Sequence, residues 1–351
     1  MNSIQVAIGK LVGRKDLTED EAESAMKCIM SGEATPAQIG SFLTALRLKG
    51  ETVEEITSFA RVMREFAARI NPKVDGILVD TCGTGGDKIK TFNISTAVAL
   101  VAAGAGVPIA KHGNRSVTSK AGSADVLEAL GVKIDLDPPK VERCIEEIGF
   151  GFMFAPVFHG AMKYATPVRR EIGIRTVFNI LGPLTNPANA QAQVLGVYDR
   201  DLTEILANAL VGLDVKHAMV VHGLDGLDEI SNLGMTQISE VKGGEVRTYI
   251  AEPKDFGFDR ARPEDIRGYD KEENAILMIK LLNGDDGPRR DIVLMNSAAA
   301  MIVGGKASNF KEGVEVAREA IDSGKAYEKL RALIRATGGD MSKLEALEAG
   351  L

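Results

Sequence analysis

The feature that most restricts this chain is a change of hydrophobic rhythm near residue 77. Before it, apolar residues recur only at helical spacing. Thr18 with Glu21 and Thr52 with Glu55 have the spacing of capping boxes, and Thr35-Pro36 reads as an N-cap followed by proline at the first helical position. Behind Thr52, the residues Val53, Ile56, Phe59, Ala60, Met63, Phe66, Ala67 and Ile70 form one apolar face, which predicts a helix packed on neighbouring helices. After residue 77 the pattern becomes strand, loop, helix. Strands are predicted at 77–80, 107–110, 192–197 and 218–221, and helices at 95–104, 123–130 and 202–213. The last eighty or so residues return mostly to helix, as at 297–303 and 314–321. Such alternation predicts an α/β fold: a small N-terminal helical domain over 1–72 and a larger α/β domain over 73–351 with a central, mainly parallel sheet; helices near 165–190 are expected, separately from the alternation, to complete the first.

Two loops carry the chemistry. The first predicted strand runs into Asp80-Thr81-Cys82-Gly83-Thr84-Gly85-Gly86-Asp87. Glycines between a strand and a helix let backbone N–H groups approach an anion. No Gly-Lys-Ser/Thr follows and the GxGxxG spacing is absent, so this is neither a Walker A loop nor a dinucleotide fingerprint. A tight turn needing positive φ explains the glycines almost as well when the loop is taken alone. Asn93, Ser95 and Thr96 then open the next helix, where a cap needs one such residue and three are present. The second loop, read as following the strand at 107–110, is Lys111-His112-Gly113-Asn114-Arg115-Ser116-Val117-Thr118-Ser119-Lys120. Three permanent cations, a histidine and three hydroxyls within ten residues suit a phosphate or pyrophosphate, whereas a solvated surface loop is the plainer alternative. Its place after a strand, beside the glycine loop, favours the ligand.

Composition narrows the partners. A net charge of −7 makes nucleic acid an unsuitable partner overall, while leaving room for one small polyanion in a local basic site. Cys28, Cys82 and Cys144 are widely separated and form no CxxC pair, which argues against structural zinc or a disulfide framework and suits a reducing, cytoplasmic setting. No long apolar run opens the chain or spans about 18 residues anywhere, so neither a signal peptide nor a membrane partner is expected.

The segments 83–87 (GTGGD), 93–96 (NIST), 111–131 (KHGNRSVTSKAGSADVLEALG), 167–188 (PVRREIGIRTVFNILGPLTNPA) and 221–231 (VHGLDGLDEIS) occur in the order and form of the anthranilate phosphoribosyltransferases. The resemblance covers essentially the whole chain, with departures at Thr118, Ala121 and Gly160. It implies a nucleoside phosphorylase/phosphoribosyltransferase-like fold with an active site between the domains, and a homodimer formed through the helical domain. It implies transfer of the phosphoribosyl group of phosphoribosyl pyrophosphate to the amine of anthranilate in tryptophan biosynthesis, with Mg²⁺.

Carried over by resemblance, phosphoribosyl pyrophosphate is held by Gly83, Gly86, Asp87, Thr91, Asn93, Ile94, Ser95, Thr96, Lys111, His112, Gly113, Asn114, Arg115, Ser116, Val117, Thr118, Ser119 and Ser123. Anthranilate is held by Gly83, Asn114 and Arg169, and the metal by Ser95, Asp228 and Glu229. The residues themselves agree with parts of this. Asp228 and Glu229 are adjacent hard oxygen donors after an apolar strand, although most Asp-Glu pairs are exposed turns. A guanidinium at Arg169 or Arg170 matches a carboxylate in a bidentate fork, and the resemblance favours Arg169.

No residue is assigned as a catalytic base. His112 either orients a substrate or makes a structural hydrogen bond, His159 lines the acceptor's entry, His217 and His222 are structural, and Cys82 is a packing residue. Two other activities fit less of the sequence: a pyrimidine nucleoside phosphorylase, whose second phosphate loop differs, and a non-catalytic nucleic-acid-binding relative, which needs a broad basic surface.

Overall fold

The computed structural model describes residues 2–86, 89–116 and 120–351. Asp87, Val117, Thr118 and Ser119, all assigned above to the donor substrate, lie outside them.

The helical domain opens with α1 (Ser3–Val12), α2 (Glu19–Met30), α3 (Pro36–Lys49) and α4 (Val53–Glu65). The boxes expected at Thr18 and Thr52 form in full, and Thr35 makes a third with Gln38. Glu55 also reaches beyond its own helix: wholly buried, it accepts from the Leu17 N–H at 2.9 Å and pairs with Lys49 at 2.9 Å, stitching α4 to the loop before α2. Phe42 and Phe59 meet edge to face at 5.8 Å in the bundle core.

The α/β domain runs β1 (Val79–Gly83), α5 (Ile94–Gly104), β2 (Ile109–Gly113), α6 (Ser123–Ala129), α7 (Pro138–Ile148), β3 (Phe150–Phe154), α8 (Ala155–Phe158), α9 (Thr166–Ile172), α10 (Phe178–Leu181), β4 (Ala192–Gly196), α11 (Leu202–Gly212), β5 (His217–Gly223), β6 (Thr236–Lys242) and β7 (Glu245–Ala251). It closes with α12 (Lys271–Leu282), α13 (Pro288–Val303), α14 (Phe310–Asp322), α15 (Lys325–Ala336) and α16 (Met341–Glu348). Among the described residues the strands form one seven-stranded sheet in the order β3-β2-β1-β4-β5-β6-β7. Pairings from β3 through β5 are parallel, and the β5–β6–β7 edge is antiparallel.

Strand periodicity assigns the two faces. Leu195, Val197, Ala218 and Val220 point into the same core as α1–α4, α9, α10 and α11, whereas Val194, Met219 and Val221 point into the core with α5 and α13. The helical bundle and one face of the sheet therefore share a continuous hydrophobic core. Helix α9 packs on α3, so the segment near 165–172 is tied to the bundle.

Three differences from the sequence expectations matter. β3 and the β6–β7 hairpin were not expected. β1 starts two residues later than expected and runs on to include Gly83. β2 extends to Gly113, which moves Lys111 and His112 out of a loop and into a strand, where they pair in register with Phe152 and Met153.

Candidate active site

The strand order reverses between β1 and β4, and in open parallel sheets ligands bind beyond the strand ends at such a point. Gly83 and Gly196 face each other there in register. Above them lies the loop carrying Asp228. A Cβ on Gly83 would sit 3.0 Å from Asp228 Oδ2, and one on Gly196 would collide with the Asp228 carbonyl oxygen. The two glycines are the means by which the acidic loop comes down onto the sheet. Asp228 and Glu229 are both half-buried.

Beneath this point Lys111 is 1 % exposed. Its ammonium donates to the Thr81 carbonyl and, at 3.3 Å, to Ser95 Oγ. Burial pushes its pKa down, while the charges of Asp80, Cys82 and Glu229 push it up. Asp80 is fully buried and raised by burial, opposed by hydrogen bonds from the Asn186 side chain at 2.8 Å and the His112 N–H at 3.2 Å and by the charge of Lys111. Asn186 Nδ2 also donates to the Ala110 carbonyl, so one amide links β1, β2 and the loop before β4. This buried network holds Ser95 and the ends of β1 and β2 at one place. Gly83, where the glycine loop begins, and Lys111 lie on adjacent parallel strands, at the same end of the sheet.

The remaining donor-side residues divide by what they touch. Asn93 stands at the N-cap of α5 but makes no capping bond. Its Nδ2 donates to the Ala121 carbonyl at 3.1 Å and its Oδ1 accepts from Asn274, which ties the loop before α6 to α12. Ile94 and Thr96 are buried, so their side chains point into the core, and Thr96 Oγ1 has no hydrogen-bond partner among the described residues. The Thr91 backbone bridges to Arg267. Gly113 has room for no side chain, because Ser123 Oγ and the Phe152 ring press on it. Ser123 donates to the Asn114 carbonyl, and Asn114 is exposed. Arg115 is turned aside: it pairs with Glu128 through both terminal nitrogens, at 2.8 and 2.9 Å, and with Asp125 at 3.0 Å. Asp125 also accepts from the Ser116 N–H. Of the three cations expected to face a phosphate, Lys111 is buried below the loop, Arg115 is engaged by α6, and Lys120 is exposed.

On the acceptor side, Arg169 on α9 is half-buried, and its guanidinium lies 5.4 Å from the centroid of the Phe178 ring. Among the described residues no carboxylate pairs with it, and burial lowers its pKa. A desolvated, unpaired guanidinium is a site for a carboxylate. Arg170, the neighbouring candidate, is exposed.

His112 and His159 face each other at 4.9 Å, both buried. His112 Nε2 and both ring nitrogens of His159 have no partner among the described residues. Burial pushes their pKa values down to about 3 and about 4, so both are neutral near pH 7. The unfolded chain protonates these rings from about pH 6.5 downward and the folded protein does not. Their contribution to stability is thus intact above pH 6.5 and lost as the pH falls toward 4. At pH 5 each should cost about 2 kcal/mol relative to pH 7, and replacing His159 by asparagine should flatten that slope in denaturant titrations. His217 pairs with Glu240 across β5 and β6, and His222 Nδ1 bonds the Val197 carbonyl at 2.7 Å. Both are structural contacts, as is the bond from Gln193 Nε2 to Cys82 Sγ at 3.1 Å.

Comparison with known proteins decides the family. Residues 75–327 match the profile described as glycosyl transferase family, a/b domain, and residues 5–67 match its helical bundle domain. The anthranilate phosphoribosyltransferase of Acetivibrio thermocellus is 58% identical over 339 residues, spanning 97% of this chain and 98% of that protein. The chain belongs to the anthranilate phosphoribosyltransferase family. The crystal structure of the enzyme from Thermus thermophilus superposes with a TM-score of 0.89 at 45% identity, covering 95% of this chain and 99% of that one. A Saccharomyces cerevisiae anthranilate phosphoribosyltransferase solved with PRPP and Mg gives a TM-score of 0.87 at 30% identity, covering 95% and 98%. The α/β fold with its N-terminal helical bundle is therefore that of the anthranilate phosphoribosyltransferases.

Proposed function

We propose that this protein is an anthranilate phosphoribosyltransferase: it transfers the phosphoribosyl group of phosphoribosyl pyrophosphate to the amine of anthranilate and releases pyrophosphate. The observation that carries this reading is the arrangement at the β1–β4 switch point. A glycine loop, Ser95 over buried Lys111, and the Asp228 loop converge there, with family relatives 54–59% identical over nearly the whole chain.

The reaction breaks the bond between the anomeric carbon and the pyrophosphate oxygen and forms a bond from that carbon to nitrogen. An aromatic amine is neutral at pH 7 and carries its own lone pair, so the attack needs position more than a strong base. Its proton leaves to solvent after the C–N bond has formed. Arg169 holds the acceptor's carboxylate, and the neutral His112–His159 pair offers hydrogen bonds along its path. Backbone N–H groups of the glycine loop and of the start of α5 receive the donor's phosphates.

Asp228, Glu229 and the Ser95 hydroxyl are hard oxygen donors of the kind Mg²⁺ takes. Among the described residues no group of three or more His, Cys, Asp or Glu could cage a metal without help. Two carboxylates and a hydroxyl fit an ion that keeps several waters and is shared with substrate phosphates. When bound, Mg²⁺ supplies positive charge to the departing pyrophosphate. We assign the protein to the cytoplasm, with three unpaired cysteines in support. No helix among the described residues is long and apolar enough to cross a membrane. We assign it a homodimer through the helical domain. The exposed apolar side chains Val6 and Val12 on α1 and Leu48 on α3 support that assembly.

Anthranilate fluorescence should decay when phosphoribosyl pyrophosphate and Mg²⁺ are added, with one pyrophosphate released per anthranilate consumed. Absence of that decay in the wild-type protein removes the assignment. Arg169→Ala should raise KM for anthranilate roughly 10- to 100-fold, the worth of a charged hydrogen bond, and move KM for the donor little. The opposite pattern would exchange the two substrate sites.

A further inference from the structure

We propose that Arg175 is a binding residue for the pyrophosphate end of the donor, held ready on Tyr198 and pressed against the glycine loop. The proposal rests on the phosphoribosyl transfer described above. Arg175 belongs to the short segment between α9 and α10, which leads from the acceptor side back toward the sheet. It is exposed, yet two contacts hold it. One terminal nitrogen lies 2.5 Å from where a Cβ on Gly86 would stand, and Gly86 has φ +91°. Gly86 is required by its own torsion, and the guanidinium tip rests against it closely enough that an added methyl would push it aside. The guanidinium carbon also lies 4.0 Å from the centroid of the Tyr198 ring.

Stacking of this kind fixes the plane of an arginine while leaving its in-plane N–H donors unused. Tyr198 is itself anchored to the loop: its N–H donates to Thr84 Oγ1 at 3.0 Å, and the Thr84 N–H donates to the Gly196 carbonyl at 2.9 Å. Arg175, Tyr198, Thr84 and Gly86 therefore form one unit at the ends of β1 and β4, beside the glycines under Asp228. That places the cation on the metal side of the donor site, where the diphosphate belongs. The charge balance agrees. Lys111 is committed to Thr81 and Ser95, and Arg115 to Glu128 and Asp125, whereas no carboxylate pairs with Arg175 among the described residues of a chain with net charge −7.

The test uses the full-length protein, steady-state kinetics and calorimetric titration with pyrophosphate in the presence of Mg²⁺. Arg175→Ala should weaken pyrophosphate binding 10- to 30-fold and raise KM for the donor by a similar factor. KM for anthranilate should stay within twofold and the unfolding midpoint should not move. Arg175→Lys should recover part of the loss, because charge returns without the planar fork, and Tyr198→Ala should lose about three- to fivefold by releasing the stack. Pyrophosphate binding unchanged in Arg175→Ala overturns the proposal. So does an equal loss for both substrates accompanied by a lower unfolding midpoint, which is the mark of a structural role. A wild-type protein that binds pyrophosphate but leaves anthranilate unconsumed counts against the transfer activity instead, and the ratio of variant to wild-type pyrophosphate affinity still judges Arg175.

Discussion

Replacing Asp228 by asparagine and Glu229 by glutamine together should lower turnover about a thousandfold, the scale of removing the main electrostatic support from a developing anion. The same double variant should need far more Mg²⁺ to reach half its own maximal rate. Both side chains are half-buried on a loop rather than in a core, so the substitution should leave the unfolding midpoint nearly unchanged. Each replacement keeps the shape while removing the charge and turning one acceptor oxygen into an NH2 donor, so a loss at constant stability reports the lost metal-binding oxygens rather than packing. A double variant whose Mg²⁺ dependence matches the wild type would take these two residues out of the metal site.

Gly196→Ala should also do large damage, although it changes no polar side chain. The added methyl would overlap the Asp228 carbonyl, and backbone oxygen cannot rotate away as a flexible side chain can. Either the end of β4 or the acidic loop has to shift. We expect a loss of about 2–4 kcal/mol in stability by denaturant titration. Turnover should fall about a hundredfold in the fraction that remains folded, because a displacement of about an ångström at a reacting centre has that effect. Wild-type stability together with wild-type turnover in this variant would mean that the loop does not rest on the sheet as described.

Local signals explain what could be read before the structure. Capping boxes lie within four residues of chain, and those at Thr18 and Thr52 form as spelled. The glycine cluster after a short apolar run marks the switch point for the same reason. Lys111 was harder. A Lys-His pair reads as loop, and the groups that make a buried lysine tolerable in β2, the Thr81 carbonyl and Asp80 carboxylate of the neighbouring strand with Ser95 Oγ and the charge of Glu229, come from elsewhere in the chain. The diversion of Arg115 depends on α6 lying alongside its loop, although Asp125 and Glu128 at helical spacing were a visible hint of an acidic face. Arg175 carries no motif, and its place follows from how the segment after α9 returns to the sheet. The β6–β7 hairpin did have a signal: Gly243 and Gly244, both at positive φ, stand between two alternating runs. β3, a run of five residues with three phenylalanines before α8, is too short for periodicity to separate from buried helix.

The shared seating of Gly83, Gly196 and Asp228 has a consequence for redesign. Gly83, Gly196 and the Asp228 loop are welded to the rigid strands, whereas Arg169 and His159 ride on the α8–α9 excursion, whose α9 is braced by the bundle. On the proposed reading, a library over that excursion would change the acceptor side at Arg169 and His159 while leaving Gly83, Asn114 and the seating of the acidic loop on the strands as they are.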